Sequence, residues 1–473
     1  MNFASVEYLL FFLIVFLIYW SLGSKGKNVQ NAIIVISSLV FYGWWDYRFL
    51  GLLLLTVIST FVAGKCVHKS DRRTTQTIVL ATTILLNIGV LAYFKYYNFF
   101  VESFVDAFTL FGVELSVSIL KIILPIGISF YTFTALSYII DVFKKKISAT
   151  NDILAYSAYV MFFPSILCGP ISRAQHQLPQ YFEKRYFDYD KAVCGIRSVL
   201  LGAVMKLCLA DRLGVYVDAV YANIGNHSGT TLLFASILYS VQIYADFAGY
   251  SMMAIGFGRF LGIDLPVNFR RPYFAKTVTE FWRRWHISLT TWFRDYIYFS
   301  LGGNRVGKFR WALNIMIVFI VSGLWHGAAY TFLIWGALHG LIMIIERFLY
   351  GDKLKHLADK LSIINILRMC LTFVLVTFVW IFFRLPSLPD AIAVITKIFI
   401  NVGPLWYDTN TLMLAFIAFA IVACVDICEE FDLNIRLWRS KYPLVRYSIV
   451  VILISYIILF GVLNGGSFIY FQF

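Results

Sequence analysis

Long stretches without Asp, Glu, Lys or Arg recur along the chain, among them residues 8–24, 49–64, 74–94, 122–140, 153–172, 311–345, 409–425 and 447–473. Each approaches the ~20 apolar residues a helix needs to cross the hydrocarbon core of a bilayer. Apolar runs this solid exclude a β-barrel, whose strands alternate polar and apolar side chains. Only 14% of residues are charged and 60% are hydrophobic, whereas soluble domains carry roughly 25% charged residues. The sequence therefore predicts an all-α polytopic membrane protein. About a dozen transmembrane helices are expected, with two or three re-entrant or interfacial pieces. We expect a single integral-membrane domain over 1–473, with N-terminal helices in 1–150, a core in 151–350 and C-terminal helices in 351–473.

Basic residues mark the cytoplasmic loops of such proteins. Lys25 and Lys27 follow the first run, Lys65, Lys69, Arg72 and Arg73 the third crossing, and Lys144-Lys145-Lys146 the fifth. Between them, 101–115 holds Glu102, Asp106 and Glu114 and no base, as an outer loop should. A turn is expected at Asp46-Tyr47-Arg48 and a kink at Pro125-Ile126-Gly127. The first run is preceded only by Glu7, without the basic start of a cleaved signal, so it is read as a retained span. Both termini are expected outside. The net charge of +14 is assigned to these loops, and no nucleic acid is expected. Most of the seven Cys sit in or beside apolar stretches and read as small buried hydrophobes rather than disulfides. Cys424 and Cys428 are one turn apart, but no His or acid completes a metal site; no metal is expected.

Two longer helices are expected near 192–222 and 232–260, and both carry ionisable residues. Lys206 reads as a snorkelling lysine. Asp246 reads either as the cap of a helix bend or as a group that touches substrate. The 261–310 window holds nine Lys/Arg and three Asp/Glu and is placed in the cytoplasm. A Lys353/Lys355/Lys360 loop and 429–446 are placed there too, with 385–406 at the outer surface.

Chemistry concentrates in two histidine-bearing stretches. His326, in Ser322-Gly323-Leu324-Trp325-His326-Gly327, lies inside the uncharged run 311–345. An imidazole there needs a partner, a wet cavity or a reaction, and imidazole is the usual general base near neutral pH. The other stretch is Phe281-Trp282-Arg283-Arg284-Trp285-His286. Drawn as one helix over 280–298, it puts Trp282, Trp285, Trp292 and Tyr296 on an apolar face and Arg283, Arg284 and Arg294 on a polar face. Those arginines would meet a phosphorylated donor in the cytosol; the simpler alternative is an interfacial anchor helix. His286 falls at the edge of the apolar face and could equally be a packing residue. His339, about 140° around a shared helix from His326, reads as structural. His68, His176, His227 and His356 read as ordinary loop residues. No G-x-S-x-G, P-loop or H-E-x-x-H signature is present.

The pairing of Phe281-Trp282-Arg283-Arg284-Trp285-His286 with Leu324-Trp325-His326-Gly327, the histidines forty residues apart, resembles the membrane-bound O-acyltransferase (MBOAT) family. Cys168-Gly169-Pro170-Ile171 and Asn268-Phe269-Arg270-Arg271-Pro272-Tyr273 are similar to further landmarks of it. Length and the ending Phe468-Ile469-Tyr470-Phe471-Gln472-Phe473 most resemble its alginate-acetylating members, with the D-alanyl transferases of teichoic acid the other near group. The resemblance implies helices around a central tunnel, with His326 as the catalytic histidine and His286 as the second. It implies acetyl-CoA or another acyl thioester as donor substrate, with no bound cofactor. It also implies a polysaccharide acceptor and an extracytoplasmic partner protein that completes the transfer. Trp325, Trp282 and Trp285 are included with the arginines and Asp246 as tentative donor-binding residues. A proton-coupled transporter using His326 and Asp246 as relay groups, and a scaffolding subunit, are the competing readings.

Overall fold

The protein's structure, a computed structural model, describes residues 1, 3, 5–112, 122–351, 362–433, 440–463 and 468–469. Expectations for Glu114, for His356, for the Lys353/Lys355/Lys360 loop and for the final Tyr470-Phe471-Gln472-Phe473 lie outside the described residues. Among the described residues all regular structure is helical, and ten segments are long and apolar enough to cross a bilayer. One of these, Lys27–Lys69, is two helices, Lys27–Asp46 and Leu50–Lys69. The break falls at the expected turn, where extended Asp46 accepts the Arg48 backbone N–H at 2.9 Å.

The expected dozen is approached with local differences. Residues 77–94 and the supposed outer loop at 101 onward form one helix, Arg73–Leu110. Nothing in that stretch stops a helix, since no Gly or Pro follows Gly89 until Gly112, and acidic residues alone do not break one. Pro125-Ile126-Gly127 is a helix start rather than a kink. Gly127 adopts φ +76° just before the Ile128–Phe143 helix, and a Cβ there would lie 2.4 Å from the Ile166 carbonyl oxygen. His68 sits in the last turn of the Leu50–Lys69 helix rather than in a loop.

The chain divides into two compact units, Met1–Ala192 with Phe257–Pro266, and Val193–Gly256 with Val267–Phe473. The first is an aromatic bundle bolted by buried amides. Gln30 and Asn31 donate to the carbonyls of Arg185 and Tyr181 at 2.8 and 2.9 Å, and Asn31 Oδ1 accepts from the Arg185 guanidinium at 2.7 Å. The Val6–Leu22 helix leaves Leu9, Leu13 and Leu17 about half exposed, an apolar stripe of the kind a bilayer covers.

The second unit carries the site. Its helix pair Lys308–His326 and Tyr330–Tyr350 packs with backbones in contact. A Cβ on Gly323 would meet the Phe332 oxygen at 2.3 Å, and one on Gly336 the Phe319 oxygen at 2.2 Å. Small residues permit this approach where lipid supplies no hydrophobic drive. Within the Tyr189–Tyr221 segment, Val204–Ala210 is a π-helix. Lys206 does not snorkel. It is 1% exposed and pairs with Asp211 at 2.7 Å and Asp246 at 2.6 Å. Asp246 likewise caps no bend: it lies inside the Gly229–Phe260 helix, and its other oxygen accepts the Ile469 backbone N–H at 2.8 Å.

Candidate active site

The uncharged run that contains His326 folds back on itself. Its first helix ends at His326, Gly327 is extended, and the next helix starts at Tyr330. A side chain on Gly327 would strike the Phe332 ring, 2.0 Å from Cβ to the nearest ring atom, so the reversal needs glycine there. His326 is 3% exposed. Its ring stands edge to face with Trp335 at 4.9 Å, and lies 5.0 Å from Trp325 and 5.3 Å from Phe383 between ring centroids. The imidazole of His286 is 6.4 Å from it. Two residues forty positions apart are thus neighbours in one aromatic chamber.

The 280–298 stretch is not one helix. Val278–Arg284 is helical, Trp285 is extended, His286 takes left-handed angles (φ 42°, ψ 51°), and Ile287–Phe293 is helical again. Left-handed backbone costs a residue with a Cβ roughly 1–2 kcal/mol. The break persists because another segment answers the backbone groups it frees. The Asn268 carbonyl accepts the Ile287 N–H at 2.9 Å, and Arg270 N–H donates to the Arg284 carbonyl at 2.9 Å. His286 ends wholly buried, its ring 4.6 Å from Phe247 and 5.9 Å from Trp325. Burial pushes its pKa down to about 3, so the ring is neutral at physiological pH.

The break also undoes the two-faced helix. Trp282 Nε1 donates to His339 Nδ1 at 3.3 Å, whereas Trp285 stacks on Phe281 and packs against Trp380. His339 therefore holds an indole. It also lies against the same Trp335 ring that His326 touches, at 5.1 Å. Arg284 is engaged in ion pairs with Glu280 at 2.7 Å and Glu430 at 2.8 Å. Arg283 and Arg294 instead line a cavity of about 690 Å³, Arg294 with its own pair to Asp295 at 2.7 Å.

Residues distant in sequence build that cavity. Its walls include Trp282, Leu289, Phe293, Trp311, Ile315 and Phe319; besides Arg283 and Arg294, Lys308 and Arg347 supply positive charge. Along one helix the lining runs from Lys308 to Ser322, a rise of about 21 Å. Ser322 is one turn before His326. The cavity, lined by apolar side chains together with these basic groups, thus reaches to within a helical turn of the buried imidazole. Asp246 lies apart in its ion-pair cluster, but its chain neighbour Phe247 packs on His286.

Residues 39–385, more than half of the chain, match the model of the membrane-bound O-acyltransferase family. The chain is 39% identical over 394 residues to a Pseudomonas aeruginosa protein named "Probable alginate O-acetylase AlgI", covering 83% of this chain and 73% of that one. It is 32% identical over 414 residues to the peptidoglycan O-acetyltransferase of Helicobacter pylori, covering 80% and 76% of the two chains. Similarity to the teichoic acid D-alanyltransferase of Bacillus subtilis is 29% over 267 residues, 54% of this chain and 67% of that one. The paired histidines lie within the matched span, and the chain belongs to the membrane-bound O-acyltransferase family and is an O-acyltransferase.

Proposed function

We propose that the protein moves an acetyl group from a cytoplasmic thioester, acetyl-CoA being the simplest, to a hydroxyl on the far side of a bacterial cytoplasmic membrane. The acceptor is an exopolysaccharide such as alginate, or a partner protein that acetylates it outside. The observation that carries this reading is the cavity: apolar side chains and four basic groups line it, and the lining reaches Ser322, a helical turn before His326. Phosphates cannot enter hydrocarbon, so a phosphorylated head would stay among Arg283, Arg294, Lys308 and Arg347 while an uncharged arm extends inward. In the chamber, His326 takes the proton of the acceptor hydroxyl as that oxygen attacks the thioester carbon. The C–O bond forms, the C–S bond breaks, and the sulfur leaves as thiolate to be protonated. His286 assists beside it. D-alanyl transfer is the second reading. It is less favoured because the acetylating relatives match far more of the chain than the D-alanyltransferase does.

The arginines separate donor binding from scaffolding. Arg283→Gln or Arg294→Gln is expected to raise the KM for acetyl-CoA roughly tenfold, from loss of one charge-assisted contact. Arg284→Gln, which loses Glu280 and Glu430, is expected to lower stability and leave KM nearly unchanged. The assay is radiolabelled acetyl transfer in inside-out vesicles, normalised to protein level. Unchanged KM in both cavity variants would remove the cavity as the donor site.

Orientation is tested separately. With both termini outside, a single cysteine at position 308 should react with an impermeant maleimide only from the cytoplasmic side. Labelling from the outer face alone would invert the proposed direction of transfer.

A further inference from the structure

Asn268 lies eighteen residues before His286 and is 1% exposed. Its Oδ1 faces three groups: the Ser288 backbone N–H at 3.2 Å, the Ser288 hydroxyl at 2.9 Å and His286 Nδ1 at 3.2 Å. Its Nδ2 donates to the Ser251 hydroxyl at 3.2 Å. A backbone N–H can only donate, so the amide atom it meets is the oxygen. An oxygen so placed asks His286 Nδ1 for a proton as well. A neutral imidazole has one N–H; if Nδ1 carries it, Nε2 holds the lone pair.

We infer that Asn268 is a positioning residue for the acyl transfer, fixing His286 as the Nδ1–H tautomer so that Nε2 enters the reaction as a hydrogen-bond acceptor. The same asparagine holds the left-handed break in place through its carbonyl, which accepts the Ile287 N–H at 2.9 Å. One residue thus sets both where the ring sits and which nitrogen is basic. The inference rests on the proposed use of the histidine pair. Among the described residues, the side chains against His286 include Phe247 from the Gly229–Phe260 helix, Asn268, and Trp325 and His326 from the Lys308–His326 helix, His326 being titratable.

The test is nitrogen-15 NMR of the full chain in lipid nanodiscs, labelled at histidine, with the His286 signal assigned by its loss in His286→Gln. In the native protein Nδ1 should be the protonated nitrogen. In Asn268→Ala the signal should shift to Nε2–H or to a mixture, and kcat should fall roughly 10–100-fold with the donor KM little changed. Native His286 protonated at Nε2, or an Asn268→Ala variant with unchanged tautomer and specific activity, overturns the inference. The tautomer is read without any acyl transfer, so its failure is separable from failure of the proposed reaction. Should Asn268→Ala not accumulate, Asn268→Asp keeps the oxygen and the shape. Its negative charge beside Nδ1–H favours imidazolium and raises the pKa of His286. The acceptor form is then lost at higher pH, and the acid limb of kcat should move upward by about one to three pH units. An acid limb unmoved in Asn268→Asp overturns the inference equally.

Discussion

Replacing His326 with alanine is expected to lower acyl transfer by roughly 10²–10⁴-fold, the usual contribution of a general base, while the protein still accumulates in the membrane. The ring is buried among Trp325, Trp335 and Phe383, 6.4 Å from His286. A packing histidine in the same cage would behave oppositely. Its loss would cost about 1–3 kcal/mol of stability through hydrogen-bonding groups left unmatched and would leave the specific activity of the surviving protein near normal. His326→Gln sharpens the contrast, because glutamine keeps a polar head but has no group titrating near neutrality. The measurement is radiolabelled acetyl incorporated into exported polymer or an outer partner, per unit of membrane protein. A glutamine variant with near-native specific activity would leave His326 as an orienting group. Neither outcome depends on the identity of the acceptor, since the proton must leave whichever hydroxyl attacks.

How far such a site is legible in sequence depends on the period of the backbone. Most long uncharged runs read correctly as membrane helices because hydrocarbon leaves a backbone almost no other choice, but 153–172 is broken into the short helices Ile153–Val160 and Phe163–Ile166. His326 stood out for the same reason, being an imidazole where no charge occurs for many residues on either side. The turn at Asp46 was legible because Asp commonly caps a turn through its own side chain. What failed at 280–298 was the assumption of an uninterrupted 100° per residue. Lys206 and Asp211 are five apart, which in an α-helix points them about 140° away from each other. The π-segment Val204–Ala210 bonds each residue to the fifth along and brings the two onto one face. The 280–298 stretch carries no Pro or Gly to announce its break. The break is imposed from outside by Asn268 and Arg270, whose bonds replace those the helix gives up. His326 and His339 were placed by one helical wheel, yet the chain reverses between them and both pack on Trp335. The cavity has no local signature, since Arg283, Lys308 and Arg347 come from three separate segments. Asn268 was visible only as part of a family landmark.

The Lys206 cluster is expected to be the largest single contributor of side-chain polarity to the stability of the second unit. Lys206→Met keeps the length of the side chain and removes the ammonium. Asp211 and Asp246, 8% and 2% exposed at their side chains, are then left facing each other without a counter-charge. Breaking a buried ion pair from one side costs about 3–5 kcal/mol, so a markedly lower thermal unfolding temperature in detergent and a lower membrane yield are expected. Asp246→Asn is milder. Lys206 keeps Asp211, and the amide oxygen can still accept the Ile469 N–H that ties the tail to the helix. Neutralising all three, as Lys206→Met with both aspartates changed to Asn, should recover much of the loss, because the cost lies in the unmatched charge and not in the missing contact. If the cluster only holds the fold, Asp246→Asn retains the native KM for acetyl-CoA. A tenfold rise in that KM at normal stability would instead return Asp246 to the donor path. Should Lys206→Met unfold at the native temperature, the three side chains cannot be ionised together as the distances suggest. The triad would then hold a proton in place of a charge.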